Sequence, residues 1–197
     1  MKLALFDIIL YIDDSGSMAF EERGERIADL KVILTRVAFA AALFDDDGVQ
    51  VRFMNSLEQG NGIRNEQQVN DLVARVKFSG LTPMGKELRN RILEPLVLGP
   101  ARAGRLQKPV LIITITDGQP TNDKEVSVKE VISEAVKELS RDRRYGKGAV
   151  SFQFAQVGND LQAREFLAKL DEDPVVGPMV DCTSSTSSIT HKKGLNL

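Results

Sequence analysis

A single cysteine (Cys182), a single histidine (His191) and no tryptophan stand among the 197 residues, and each scarcity removes a class of explanation. One cysteine cannot close an internal disulfide, whereas secreted domains often carry one, so a reducing, cytoplasmic compartment is expected. The lone histidine falls in a carboxyl end rich in Ser, Thr and Lys, which leaves a serine nucleophile without its usual base. No apolar run reaches membrane-spanning length, and the first strand begins almost at Met1, without the charged and apolar regions of a signal peptide. Neither sign of charge prevails: 26 Lys and Arg stand against 28 Asp and Glu, for a net charge of -2 and a pI near 5.6. That balance offers no electrostatic case for nucleic acid or for an anionic membrane. What remains is a chain with 42% hydrophobic residues and no internal repeat, suited to one domain with a sizeable core.

Two stretches carry the chemistry. The apolar run Ile8-Ile9-Leu10-Tyr11-Ile12 has the length and residue types of a strand buried on both faces, and it stops abruptly at Asp13. Ser15 and Ser17 follow at alternate positions around Gly16, which frees the turn so that both hydroxyls aim into one small volume. A second run over residues 109–116 ends in the same way, in Asp117-Gly118-Gln119-Pro120. Between them the glycine-flanked loop Gly80-Leu81-Thr82-Pro83-Met84-Gly85 offers a third hydroxyl, with Pro83 suited to open a helix. Hard oxygen donors without His or Cys favour Mg²⁺ or Mn²⁺ over zinc.

The order Asp-x-Ser-x-Ser, Thr-Pro-Met-Gly, Thr-Asp-Gly-x-Pro resembles that of a von Willebrand factor A (vWA) domain, in which the three motifs form the metal-ion-dependent adhesion site. The resemblance covers roughly residues 6–182, and Asp13, Ser15, Ser17, Thr82 and Asp117 match all five positions. It implies that Ser15, Ser17 and Thr82 bind Mg²⁺ (Mn²⁺ or Ca²⁺ in its place) directly, while Asp13 and Asp117 act through waters and hydrogen bonds. An ion with so few anionic ligands keeps much of its charge and takes an Asp or Glu side chain from a protein partner. The function so implied is a metal-dependent protein-interaction module, not an enzyme. Specificity would then come from the rim: the loop around Phe20, residues 55–65 and the turn after Asp117.

A Mg²⁺-dependent phosphohydrolase of the aspartyl-phosphate type is the alternative, because it too places a carboxylate at a strand end beside Mg²⁺. Such enzymes put a second acid two residues after the nucleophile, where this chain has Ser15; Asp123 and Lys124 are the candidates for the remaining machinery. A serine hydrolase fits less well, since Ser15 lacks the preceding glycine of a nucleophile elbow.

Strand and helix patterns alternate along the chain. They predict an α/β fold with a mainly parallel sheet covered on both faces, the Rossmann-like three-layer architecture that the resemblance also implies. The domain is expected over residues 1–182, with 183–197 a flexible tail. Ile27, Leu30, Leu34, Val37, Ala41 and Phe44, with Ile33, Ala38 and Ala40, predict a deeply buried helix. Asp45-Asp46-Asp47 then reads as a solvated turn before a strand over 49–54, and 55–65 as a loop or short hairpin. A short helix over 66–76 precedes the threonine loop. Pro83 opens a helix through Met84, Leu88, Ile92 and Leu96 that Pro95 bends or ends, and 99–108 reads as a surface connection. Further on, Val128, Val131, Ile132, Ala135 and Leu139 mark a helix, followed by a strand over 149–157, a helix over 161–170 and a closing strand over 175–181. The basic run Lys137, Arg141, Arg143, Arg144 and Lys147 reads as a solvated helix end, and Cys182 as a small buried hydrophobe. Asp14 is left with two roles, an extra carboxylate near the metal or a cap on the following turn.

Overall fold

The computed structural model describes residues 6–20, 25–44, 47–121 and 125–184. A six-stranded sheet in the order β3-β2-β1-β4-β5-β6 forms its centre. The strands are β1 (Asp7–Ile12), β2 (Val49–Phe53), β3 (Gln59–Ile63), β4 (Val110–Thr116), β5 (Val150–Gln156) and β6 (Val180–Ser184). Every neighbouring pair is parallel except β2 with β3. The expected three-layer α/β architecture is therefore the one observed.

Alternation along β1 explains the two layers. Ile9 and Tyr11 point into a core shared with Leu88, Ile92, Val131 and Ile132, whereas Leu10 and Ile12 point into the opposite core with Leu30, Leu34 and Leu72. The first core is covered by α6 (Val128–Arg141) and by a long helix made of α4 (Met84–Glu87), a π-wound stretch (Leu88–Leu98) and α5 (Gly99–Arg102). The second is covered by α2 (Glu25–Phe44) and α3 (Glu66–Arg75), with α1 (Gly16–Phe20) contributing Met18. On the first side, α7 (Leu161–Asp171) adds Leu167 and Leu170.

Four expectations need correction. Pro95 does not end its helix: the chain widens into π turns, Gly99 N–H bonds to Glu94 O, and Pro95 itself faces solvent. Wider winding accommodates a residue that has no N–H to give, while Ile92, Leu93, Val97 and Leu98 anchor both sides of it in the core. The segment after Leu98 is accordingly helical up to Arg102 before it becomes a connection. The α2 helix is not deeply buried, because Val32, Phe39 and Leu43 are exposed beside the buried stripe of Leu30, Leu34, Ala38 and Ala41. The last strand begins later than expected and runs to Ser184, so Thr183 and Ser184 belong to the sheet. Residues 55–65 form the hairpin option, with β3 returning against β2. Asp45, Asp46, Asp123, Lys124 and His191 lie outside the described residues, while Asp47 pairs with Lys108 at 3.3 Å.

Candidate metal centre

The carboxyl end of β1 is where connections to either side of the sheet diverge, the usual place for a crevice in an open parallel sheet. Asp13 N–H still donates to Ile115 O (2.9 Å), so its side chain leaves the sheet beside the end of β4. One Asp13 oxygen accepts from Ser15 N–H (3.0 Å) and the other from the Thr116 hydroxyl (2.7 Å). Ser15 Oγ and Ser17 Oγ are 3.0 Å apart, and the Ser17 hydroxyl donates to Asp117 Oδ1 at 3.0 Å. The structure thus joins four of the five expected residues in one hydrogen-bonded chain. Asp13, Ser15 and Asp117 are buried in it and Ser17 half-buried.

Thr82 lies on the adjoining loop, buried, and that loop is placed by its backbone. Gly80 O accepts from Gly16 N–H (3.2 Å), which ties the loop to the turn carrying both serines. Thr82 N–H donates to Thr121 Oγ1 and Thr82 O accepts from Thr121 N–H, both at 2.9 Å, which ties it to the segment after Asp117. Below, the buried Tyr11 hydroxyl donates to Met84 O at 2.9 Å; burial raises its pKa well above the ordinary tyrosine value and keeps it a donor. Gly85 packs against backbone so closely that a Cβ there would stand 2.2 Å from Val126 O.

Three residues that the sequence reading passed over complete the support. The Arg26 guanidinium from α2 is 3% exposed and donates to Asp117 Oδ2 at 2.5 Å. Asn55 donates its side-chain amide to Leu81 O at 2.9 Å, reaching across from the end of β2 to the threonine loop. Gly80 makes room for it: its φ is +100°, and a Cβ there would stand 2.7 Å from Asn55 Oδ1. Arg91, from the π-wound stretch, donates to the carbonyls of Phe53, Asn55 and Ser56. Asp14 closes the same loop from the other side, accepting from Asn55 N–H and Ser56 N–H, both at 2.7 Å. Its role is therefore a cap, but on the distant 55–56 turn, and both its oxygens are engaged there.

Burial pushes the Asp13 carboxyl up to about 6 and the charge of Asp117 adds to that, while hydrogen bonds from Thr116 and Ser15 pull the other way. Two buried carboxylates and three nearby hydroxyl residues make a hard-oxygen donor set that fits Mg²⁺. Among the described residues no cluster of three or more His, Cys, Asp or Glu is arranged to hold a metal, so an ion here depends on the hydroxyls. For phosphohydrolysis the position two residues after Asp13 is confirmed only as a serine bound to Ser17, with no acid in that place.

Outside this region, burial pushes the Cys182 thiol up to about 12, with Asp171 and Asp181 adding. A thiol held so far above its ordinary value has a thiolate fraction near neutrality lowered by roughly 10²–10³-fold. Iodoacetamide at pH 8 should accordingly label folded protein that much more slowly than protein unfolded in urea, as intact-mass kinetics will record.

A family model described as "vWA found in TerF C terminus", vWA-TerF-like, matches residues 5–183. Among solved structures, one of proximal thread matrix protein 1 from the mussel byssus matches with 16% identity and a TM-score of 0.59, covering 91% of this chain and 44% of that one. A second structure of the same protein matches with 18% identity and a TM-score of 0.54, covering 91% and 42%. The chain therefore spans less than half the length of that matrix protein, and at these identities the likeness is one of fold. No curated protein matches the chain.

Proposed function

The chain belongs to the vWA-TerF-like family of von Willebrand factor A domains, and on that footing we propose that it is a Mg²⁺-dependent protein-interaction module of the cytoplasm. Ser15, Ser17 and Thr82 hold the ion, Asp13 and Asp117 orient those ligands, and an Asp or Glu of a protein partner completes the coordination. The observation that carries this reading is the continuous chain from Asp13 through Ser15 and Ser17 to Asp117, with Thr82 on a loop tied to both ends.

With both carboxylates serving neighbours, an ion held by the three hydroxyls would meet mainly neutral oxygens, and an external carboxylate would gain more there than at a site already rich in anions. Removing one member of a desolvated charged contact typically costs about 2 to 5 kcal/mol, so one acid dominates recognition. The exposed side chains of Phe20, at the end of α1, and Leu81, on the threonine loop, stand on two segments that meet at Gly16 and Gly80, and supply apolar contact around that acid. Nothing in this scheme makes or breaks a covalent bond; the domain works by binding. Its single cysteine supports the reducing compartment.

Thr82→Ala tests the reading, because Thr82 is fixed by its backbone and its truncation leaves those bonds in place. Calorimetric titration should show Mg²⁺ or Mn²⁺ binding to the native protein, weakened at least roughly tenfold in the variant with its unfolding midpoint little changed. Equal affinity in the two proteins would defeat the assignment.

A further inference from the structure

Arg26 stands out from the other charged groups because it is buried in the candidate site with no role in the scheme above. Its Nη1 lies 2.5 Å from Asp117 Oδ2, and both side chains are almost wholly excluded from solvent. The opposite side of the guanidinium is also shaped for it: Gly158, after β5, has φ +73°, and a Cβ there would stand 2.7 Å from Arg26 Nε. A loop from the next strand thus leaves space for this group and no more. Asp117 consequently spends one oxygen on Ser17 and the other on Arg26.

The charge count at the crevice follows. Among the described residues, Asp13 and Asp117 bring two negative charges and Arg26 brings one positive, while Asp14 is engaged by the 55–56 turn. Resting on the reading of this crevice as a divalent-cation site, we infer that Arg26 is an internal competitor of the metal: it shares Asp117 with the ion and holds the affinity of the empty-handed site low. Ser17 Oγ and Arg26 Nη1 each hold one oxygen of Asp117, so a cation taken up by Ser17 would have the guanidinium as a like-charged neighbour across that carboxylate. Even at a high effective dielectric, repulsion between a unit charge and a divalent ion a few ångströms apart changes a binding constant by roughly tenfold or more. The partner's carboxylate restores the missing negative charge, so ion and partner bind with positive coupling, each tightening the other by the same factor. Arg26 is in this sense a positioning and tuning residue, not a ligand.

The probe is Mn²⁺ alone, titrated by the loss of its free EPR signal into native protein, Arg26→Gln, Arg26→Lys and Thr82→Ala. Arg26→Gln should bind Mn²⁺ at least about tenfold more tightly than native protein, and Arg26→Lys, which keeps the charge, should stay near the native value. A folded Arg26→Gln variant with unchanged or weaker affinity overturns the inference. Native protein and Thr82→Ala both failing to bind Mn²⁺ would instead remove the cation-site reading, and the inference with it. Should Arg26→Gln not fold, the native chain decides: the Arg26 Nε–H resonance, identified by its loss in Arg26→Lys, should broaden at substoichiometric Mn²⁺ and recover in EDTA. A resonance indifferent to Mn²⁺ overturns the inference as surely as the first result.

Discussion

Asp117→Ala should destabilise the domain by about 3 to 5 kcal/mol, seen as a drop in urea midpoint and in melting temperature of roughly 10 °C. The reason is not the loss of a possible metal ligand but the loss of the buried Arg26–Asp117 ion pair. That guanidinium is 3% exposed and lies between Asp117 on one side and Gly158 on the other, so removing the carboxylate takes away a buried opposite charge where water does not reach. Replacing both members with apolar residues of similar size, Arg26→Met with Asp117→Leu, should recover much of the loss, since a buried ion pair and a well-packed apolar pair are close in stability. Asp117→Ala alone as stable as the native protein would mean that the Arg26–Asp117 pair adds nothing to stability. One practical point follows for the metal site: loss of binding in Asp117→Ala mixes lost coordination with lost folding, and Thr82→Ala does not.

Gly85→Ala should lower stability by about 3 kcal/mol although it adds a single methyl group. The new Cβ would meet Val126 O at 2.2 Å, Val128 N at 2.9 Å and Ser127 C at 3.1 Å, all of them backbone atoms that cannot rotate away. Either the start of the long helix or the start of α6 must retreat, and the first carries the threonine loop. The same variant should therefore bind Mn²⁺ more weakly than its residual folded population explains. Gly148→Ala is the matched control, because a Cβ there meets nothing within 4 Å and surface changes of that kind stay within about 0.5 kcal/mol. Chemical denaturation of the three proteins side by side separates the outcomes, and equal midpoints would refute the close approach.

What the sequence disclosed, and what it hid, divides along a physical line. Asp13, Ser15 and Ser17 are neighbours in the chain, and Asp117 announces itself by ending an apolar run as Asp13 does, so local pattern suffices to find them. The alternation of apolar strands with amphipathic helices likewise yields the layered sheet. Arg26, by contrast, is one basic residue near a helix start, and its partner lies 91 positions away. Nothing local distinguishes it from a solvated arginine. Asn55 and Arg91 act through main-chain carbonyls that carry no side-chain signature. The exposed Phe39 and Leu43 mislead in the opposite direction, because apolar composition alone does not reveal which face of a helix the fold leaves open.

The wide winding of the long helix has a mechanical consequence. The helix starts at the threonine loop, and within its wide turns Arg91 swings back to clasp the carbonyls at the exit of β2, from which Asn55 grips Leu81. The chain has tied a knotless noose around its own hydroxyl: loop, helix and strand exit hold one another in a ring. Such a ring opens as a single cooperative unit or not at all, so the segment presenting Thr82 cannot fray by itself while the sheet beneath it stays closed.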